Sequence, residues 1–319
     1  MRRICAVSEE DAKDPLDAEP LACIVGPTAS GKTALALELA ERTGAELVSL
    51  DSMLVYRGMD IGTAKPEPAE LDRVPHHMID LVDPSERYDI QRYLRDARAA
   101  LADIHGRGQR AIFVGGTGFY LAALLRGLFE GPPVDLNLRA ALEERARSEG
   151  NAALHADLIE RDPTSAERIH ANDTKRVVRA LEVLEQTGRP LSEWQTEWGG
   201  EPGERQTRAR VIGLHLETPV LDARIAARTE IMFDAGWREE AVRLRDGDGF
   251  GPSAIQALGY AEVLQWADGE LTRAAAAERI ALRTRQFARR QRTWYRKFDI
   301  TWLDANACDP DEARAALEL

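Results

Sequence analysis

The chain has 319 residues, 44% hydrophobic and 30% charged, which fits a globular protein with one sizeable core and room for a smaller appended unit. No apolar run approaches the roughly 18 residues a bilayer demands, and the polar, acidic start lacks an apolar stretch for secretion, so no membrane association is expected. Cys5, Cys23 and Cys308 are too few and too scattered for a disulfide framework or a Cys-x-x-Cys metal site, so a reducing cytoplasm is expected.

Residues 1–20 read as a flexible N-terminal extension. Leu21 to Val25 is a short apolar run that predicts a strand, and the stretch GPTASGKT follows it directly. This stretch comprises Gly26, Pro27, Thr28, Ala29, Ser30, Gly31, Lys32 and Thr33, and it opens a helical pattern from Ala34 to Arg42. Gly44 is a predicted C-cap, and Ala45 to Leu50 a second buried strand that ends at Asp51. A polar loop, DSMLVYRGMDIGTAKP, leads to a third apolar run in HHMIDLVDP from His76. The helical pattern YDIQRYLRDARAALADIHGRG comes next, then a strand from Arg110 to Val114 that runs into a Gly115-Gly116-Thr117 turn.

Near Gly131 the alternation stops. Residues 131–206 show only helical periodicity, broken at Gly150, Asp162-Pro163, Gly188 and Gly199-Gly200, as expected of a helical insertion domain. Val211 to Leu216 reads as a strand returning to the sheet. Helices are predicted from Val220 to Ala235, Arg238 to Arg245, Gly259 to Ala267 and Ala274 to about Lys297, with TWLD from Thr301 as a last edge strand. The fold class is therefore α/β: a P-loop NTPase-like parallel sheet flanked by helices, carrying a helical insertion, with the core formed by residues 21–130 and 207–319.

A glycine loop between a strand and a helix turns backbone N–H groups inward around phosphate oxygens, and the helix N-terminus adds partial positive charge. Lys32 supplies a full charge, and the Thr33 hydroxyl is a candidate ligand for Mg2+. Ligands on an open parallel sheet collect at the carboxyl ends of the strands, where Asp51 is placed to take a proton from an attacking nucleophile, or else only to cap the next helix. The fourth predicted strand ends in Gly-Gly-Thr, where an ordinary ATPase carries a magnesium-holding Asp. Asp80 or Asp83 are possible substitutes. A cradle without hydrolytic apparatus points to pyrophosphate as a leaving group. His76 and His77, adjacent on an extended segment, point to opposite faces and favour a structural role over a metal site. Trp194 and Trp198 read first as insertion core. Although the chain carries a net charge of −12, the run from Arg283 to Lys297 has seven basic residues and no acid, so phosphate contact there competes with a merely solvated face.

With these motifs in place the chain resembles the bacterial tRNA dimethylallyltransferase (tRNA isopentenyltransferase) family. The stretches that carry the resemblance are Gly26 to Thr33, Asp51 to Pro66, PHHMIDLVDP from Pro75, VGGTGFYLAALLRGL from Val114, RIHANDTKRVVRALEV from Arg168 and TRQFARRQRTW from Thr284. The resemblance implies transfer of a dimethylallyl group from its diphosphate to N6 of adenine-37 in the anticodon stem-loop of tRNA. It implies Asp51 as general base, Thr117 and Arg228 as further catalytic residues, and Gly26 to Thr33 as the diphosphate site, with Mg2+ on Thr33. It also implies tRNA contacts at Asp51, Ser52, Met53, Leu54, Thr117, Arg139, Lys175, Arg176, Val177, Val178, Arg179, Gln256, Gly259 and Tyr260, to which the basic run adds Arg285, Arg289, Arg290 and Arg292. Leu54 and Ala261 depart from the family pattern, and no C-terminal Cys/His cluster of the zinc-finger type occurs. The expected partners are tRNA and dimethylallyl diphosphate, with the protein acting as a monomer. Three other readings share parts of this pattern: a P-loop small-molecule kinase, an adenylate isopentenyltransferase acting on free nucleotide, and a non-enzymatic RNA-binding P-loop protein.

Overall fold

The computed structural model describes residues 14–127, 132–197 and 207–319. Among these residues six strands form one parallel sheet: β1 Leu21–Val25, β2 Glu46–Leu50, β3 His76–His77, β4 Ala111–Gly115, β5 Ala209–His215 and β6 Thr301–Asp304. Their order across the sheet is β3-β2-β4-β1-β5-β6. All neighbours are parallel, with Val25 level with Gly115 and Gly213, and Leu50 also level with Gly115. This register brings the ends of β1, β2 and β4 to one edge, so Gly26, Asp51 and Gly116 leave the sheet side by side.

Strands buried on both faces lose the polar alternation of a half-exposed sheet. In β1 and β2 every residue is buried. Ala22, Ile24, Leu47, Ile112, Ile212 and Leu214 join one core with Leu35, Leu39 and Ala40 of helix Lys32–Thr43 and with Leu317 of helix Pro310–Leu317. Strand periodicity turns Cys23, Val48 and Phe113 to the opposite face. Helix Ile90–Gly106 packs on β2 and β4, with Tyr93 donating to Ser49 O at 2.9 Å.

The third apolar run forms a strand only at His76–His77. Met78 (φ 64°) and Asp80 (φ 54°) adopt left-handed backbone and end the pairing. The rest is a loop that buries Met78 and Val82 against the segment after β2, with Asp80 N and Leu81 N donating to Leu54 O and Val55 O. The N-terminal extension is shorter than predicted. Helix Pro15–Ala18 is capped by Asp14, buries Leu16 and is tied down by Arg98 to Asp14 at 3.0 Å. Residues 1–13 lie outside the described residues.

The chain divides into two compact units, one ending at Leu125 and resuming at Thr207, the other Arg126–Gln206. Within the second, helices Leu136–Glu149, Asn151–Arg161, Pro163–Arg168, Thr174–Thr187 and Leu191–Glu197 surround a core that includes Leu142, Leu154, Leu158, Val177 and Leu181. Trp194 packs against that core and donates Nε1–H to Thr187 Oγ1 at 3.3 Å. Gly131, Trp198 and Gly199-Gly200 lie outside the described residues.

Candidate functional site

The phosphate loop has a bent path. Ser30 N donates to Pro27 O at 3.2 Å, Ala29 (φ 64°) is left-handed, and Gly31 (φ 95°) takes the conformation that lets helix Lys32–Thr43 begin. Gly26, Pro27 and Ser30 are buried, whereas Thr28 and Ala29 are half-buried and Gly31 and Thr33 exposed, so the loop's inner rim is open to a ligand. Lys32 is half-buried at the helix start. Burial first, and then the Arg228 guanidinium, push its ammonium pKa down to about 8, while Asp51 pulls the other way. Arg228, from helix Thr218–Asp234, donates from Nη2 to Thr28 Oγ1 at 2.6 Å. Its own pKa is lowered by burial and supported by Asp51. Two cations and one carboxylate thus converge on the open side of the loop, a set short of negative charge until an anion arrives.

The Gly-Gly-Thr turn after β4 has a steric cause. A Cβ at Gly115 would lie 2.3 Å from Leu50 O, and one at Gly116 would lie 2.3 Å from Gln291 Nε2. The β2 backbone leaves no room for a side chain at Gly115, and one at Gly116 would have to displace the Gln291 amide, so a carboxylate of the kind other phosphate-loop proteins place here meets occupied space. Thr117 N donates to Leu50 O at 3.2 Å, which binds this turn to the residue before Asp51. Asp51 Oδ1 accepts from Met53 N at 2.8 Å, a local bond that leaves its other oxygen for chemistry.

Two cavities meet at these residues. The smaller, about 90 Å³, is lined by Lys32, Thr33, Asp51, Leu54, Ile79, Val114 and Arg228 among others. The larger, about 520 Å³, is lined by Ser52, Met53, Thr117, Gln256, Phe287 and Arg290 among others. Thr28, Asp51, Thr63 and Arg228 belong to both, so Asp51 stands where a phosphate-side space opens into a space the size of a nucleobase and its surroundings.

The loop after Asp51 is held by groups that sequence reading passed over. Buried Glu240, on helix Trp237–Asp246, accepts from Asp60 N at 2.9 Å, Ile61 N at 2.7 Å, Gly62 N at 3.1 Å and Tyr260 OH at 2.7 Å. Lys65 Nζ ties Tyr56 O, Asp60 and Asp80 together, at 2.5 Å for Asp80, and Arg57 pairs with Asp83 at 3.1 Å. Asp80 and Asp83, the substitutes considered for a magnesium carboxylate, are committed to these ion pairs. His76 Nδ1 bonds Val74 O at 2.7 Å and His77 Nε2 bonds Glu46 at 2.6 Å, both scaffold contacts.

Residues 54–298 match the family described as IPP transferase, and residues 20–81 match isopentenyl transferase. The tRNA dimethylallyltransferase of Geobacter sulfurreducens is 46% identical over 289 residues, 89% of this chain and 91% of that protein. That of Halorhodospira halophila is 47% identical over 87% of this chain and 90% of its own. The chain belongs to the IPP transferase family. Among solved structures, the tRNA isopentenylpyrophosphate transferase of Bacillus halodurans has a TM-score of 0.66 at 38% identity, covering 94% of this chain and 95% of that one. A eukaryotic dimethylallyltransferase described as acting on tRNA has a TM-score of 0.75 at 29% identity, covering 94% of this chain and 77% of that one.

The residues that the IPP transferase resemblance assigns to RNA fall into distinct environments. Ser52, Met53, Gln256 and Arg290 line the larger cavity, while Leu54 faces the smaller one beside Ile79. Arg289 and Arg290 are exposed and Arg285 half-buried on helix Arg273–Tyr295. Lys175 and Arg176 lie in the first turn of helix Thr174–Thr187. Arg139 and Arg179 converge on buried Glu182, at 2.5 Å and 3.0 Å. Five assignments are corrected. Val177 and Val178 are 1% and 2% exposed and build the helical unit's core, so their side chains do not face RNA. Tyr260 is fully buried on Glu240, and Gly259 before it sits against the Trp237 ring, which leaves the backbone alone to meet a ligand there. Arg292 donates to Leu216 O and to Thr218 Oγ1 (2.9 Å), so its guanidinium anchors the segment after β5.

Proposed function

We propose that this IPP transferase moves a dimethylallyl group from dimethylallyl diphosphate to N6 of adenine-37 in the anticodon loop of tRNA, releasing diphosphate. The observation that carries the reading is Asp51 at the junction of the two cavities, with the phosphate loop on one side and a base-sized space on the other. An adenine in a loop must leave its stack before its amine can meet an electrophile, and the larger cavity gives it a place to go. Leu54, Ile79 and Val114 offer an apolar wall for the prenyl carbons.

In the transfer, the bond between the donor's C1 and its diphosphate oxygen breaks, and the oxygen keeps the electron pair. A bond forms between C1 and N6, and the N6 proton passes to Asp51. Lys32, Arg228 and the loop amides hold the charge that collects on the departing diphosphate. Thr117, fixed through Leu50, stands beside Asp51 to orient the amine.

The exposed Thr33 hydroxyl at the cradle's edge suits Mg2+, which often takes few protein ligands and completes its shell with phosphate oxygens and water. Bound there, Mg2+ would neutralise charge on the leaving group. Cys23 and Cys308 are unbonded, in keeping with the cytoplasm, and among the described residues no helix is long and apolar enough to cross a membrane.

Mass analysis of unmodified tRNA after incubation with protein, donor and magnesium tests the reading. A gain of one dimethylallyl unit on the adenine is expected. Transfer to AMP but not to tRNA would instead identify an adenylate isopentenyltransferase, and stabilisation by ATP in place of the prenyl donor a kinase.

A further inference from the structure

Prenyl transfer needs the diphosphate cradle and the acceptor loop held at a fixed separation, and the two leave different strands. Helix Arg273–Tyr295 crosses both. Gln291 is 4% exposed, and its carboxamide spans the gap: Oε1 accepts from Thr28 N at 2.9 Å, and Nε2 donates to Gly116 O at 2.7 Å. The orientation of the amide is dictated by its partners, since a backbone N–H only donates and a carbonyl only accepts. One helical turn on, Tyr295 OH lies 3.1 Å from Gly26 O and 3.1 Å from Gly116 O. The contact reaches the chemistry on both sides. Thr28 receives Arg228 on its hydroxyl, and Gly116 precedes Thr117, whose N–H is bound to Leu50 beside Asp51.

We propose that Gln291 and Tyr295 are positioning residues that bolt the phosphate loop to the Gly115–Thr117 turn and so set the reach between the leaving diphosphate and the attacking amine. The proposal rests on the prenyl-transfer reading above. Neither side chain lines either cavity. Their effect runs through Thr28 and Gly116, which explains why position 116 carries no side chain: a Cβ there would occupy the place of the Gln291 amide.

The test uses steady-state transfer from dimethylallyl diphosphate to an unmodified anticodon stem-loop RNA by the full chain and its Q291L, Q291E and Y295F variants. Each is checked for folding by thermal unfolding. A misplacement of the order of an ångström costs about 100-fold in rate, so Q291L is expected to lower kcat by about 10- to 100-fold with both KM values within about threefold. Y295F, which keeps its ring, should show a smaller fall of the same kind.

Q291E separates positioning from mere packing. One carboxyl oxygen still accepts from Thr28 N, but the other faces Gly116 O and matches it only when protonated. The ratio of Q291E to Q291L activity should therefore climb several-fold from about pH 8 to about pH 6, because burial favours the protonated carboxyl. If Q291L fails to fold, the acid rescue of Q291E relative to wild type carries the decision. A Q291L kcat within about twofold of wild type, or a Q291E profile that is flat relative to its reference, would overturn the proposal. Wild-type turnover of the same RNA keeps the two failures apart. Without it the prenyl-transfer reading falls and takes this one with it, whereas turnover with an indifferent Gln291 sinks only the positioning role.

Discussion

The lowered pKa of Lys32 makes a prediction with a sign. Burial and Arg228 disfavour its ammonium form and bring the pKa to about 8, while a bound diphosphate would favour that form. In the free protein the side chain is then roughly 90% charged at about pH 7 and roughly 10% charged at about pH 9. If only the ammonium form grips the anion, the lysine alone weakens diphosphate affinity by about tenfold across that span, and binding near pH 8 takes up about half a proton. Isothermal titration of pyrophosphate with magnesium, in two buffers of different ionisation enthalpy, reads both quantities. Pyrophosphate itself loses protons in this range and binds better for it, so the measured signal is the affinity of wild type relative to K32M. A ratio that stays flat, with no proton uptake, would refute the assignment of Lys32 to the cradle. The same shift affects stability. The folded-state pKa lies below the value of about 10.4 for an exposed lysine, so the unfolded chain binds more protons between the two values. The cost of burying Lys32 is therefore present at neutral pH and is relieved as pH rises from about 8 towards 10.4.

Asp51→Asn keeps the oxygen that accepts from Met53 N but removes the base, so kcat should fall by about 100- to 10,000-fold with tRNA affinity preserved; near wild-type turnover would assign the proton elsewhere. Replacing Arg289 and Arg290 with Ala should flatten the salt dependence of tRNA binding by about 0.7 unit per cation, read from log Kd against log salt. Arg292→Ala should leave that slope unchanged and lower the urea midpoint, because its guanidinium serves Leu216 O and Thr218. Glu240→Ala strands three loop amides and the Tyr260 hydroxyl; at about 1 kcal/mol each the loss is about 4 kcal/mol, and chemical denaturation showing less than about 1 kcal/mol would mean that water replaces the carboxylate.

Much of the sheet was legible because its strands are short, continuous apolar runs between turn signals. Leu21–Val25 was predicted without error, and the others within about two residues. The run after His76 misled for a physical reason. Buried apolar residues there line a loop whose left-handed Met78 and Asp80 no periodicity announces. The phosphate loop, Asp51 and the Gly-Gly-Thr turn were found from motif and strand position together. Gln291, Tyr295 and Glu240 were not, since the backbone atoms they hold lie more than a hundred residues away in the chain. One signal was available. The positions Ala281, Thr284, Ala288, Gln291 and Tyr295 recur at heptad spacing on the buried face of one helix, so the last two are polar groups on an inward stripe. Buried polar groups take partners, and the glycine loops supply the free backbone groups that such residues need.

That same helix shows why a basic run overstates its own charge. Seven cations occur from Arg283 to Lys297, yet Arg283 pairs with Glu262, Arg292 is spent on the backbone after β5, and Lys297 lies 4.2 Å above the Trp294 ring. Arg296 lies past the helix end at Tyr295, which leaves Arg285, Arg289 and Arg290 on the helix as the set best placed for phosphate. If each neutralises one phosphate of a single-stranded loop, the helix contributes a slope of about −2 to log K against log salt, well short of the −5 implied by counting all seven. On the proposed function, an acidic protein would thus bind RNA through a few cations that the fold has not already consumed. The inward face of the helix holds the catalytic loops in place, so the same 23 residues serve both surfaces.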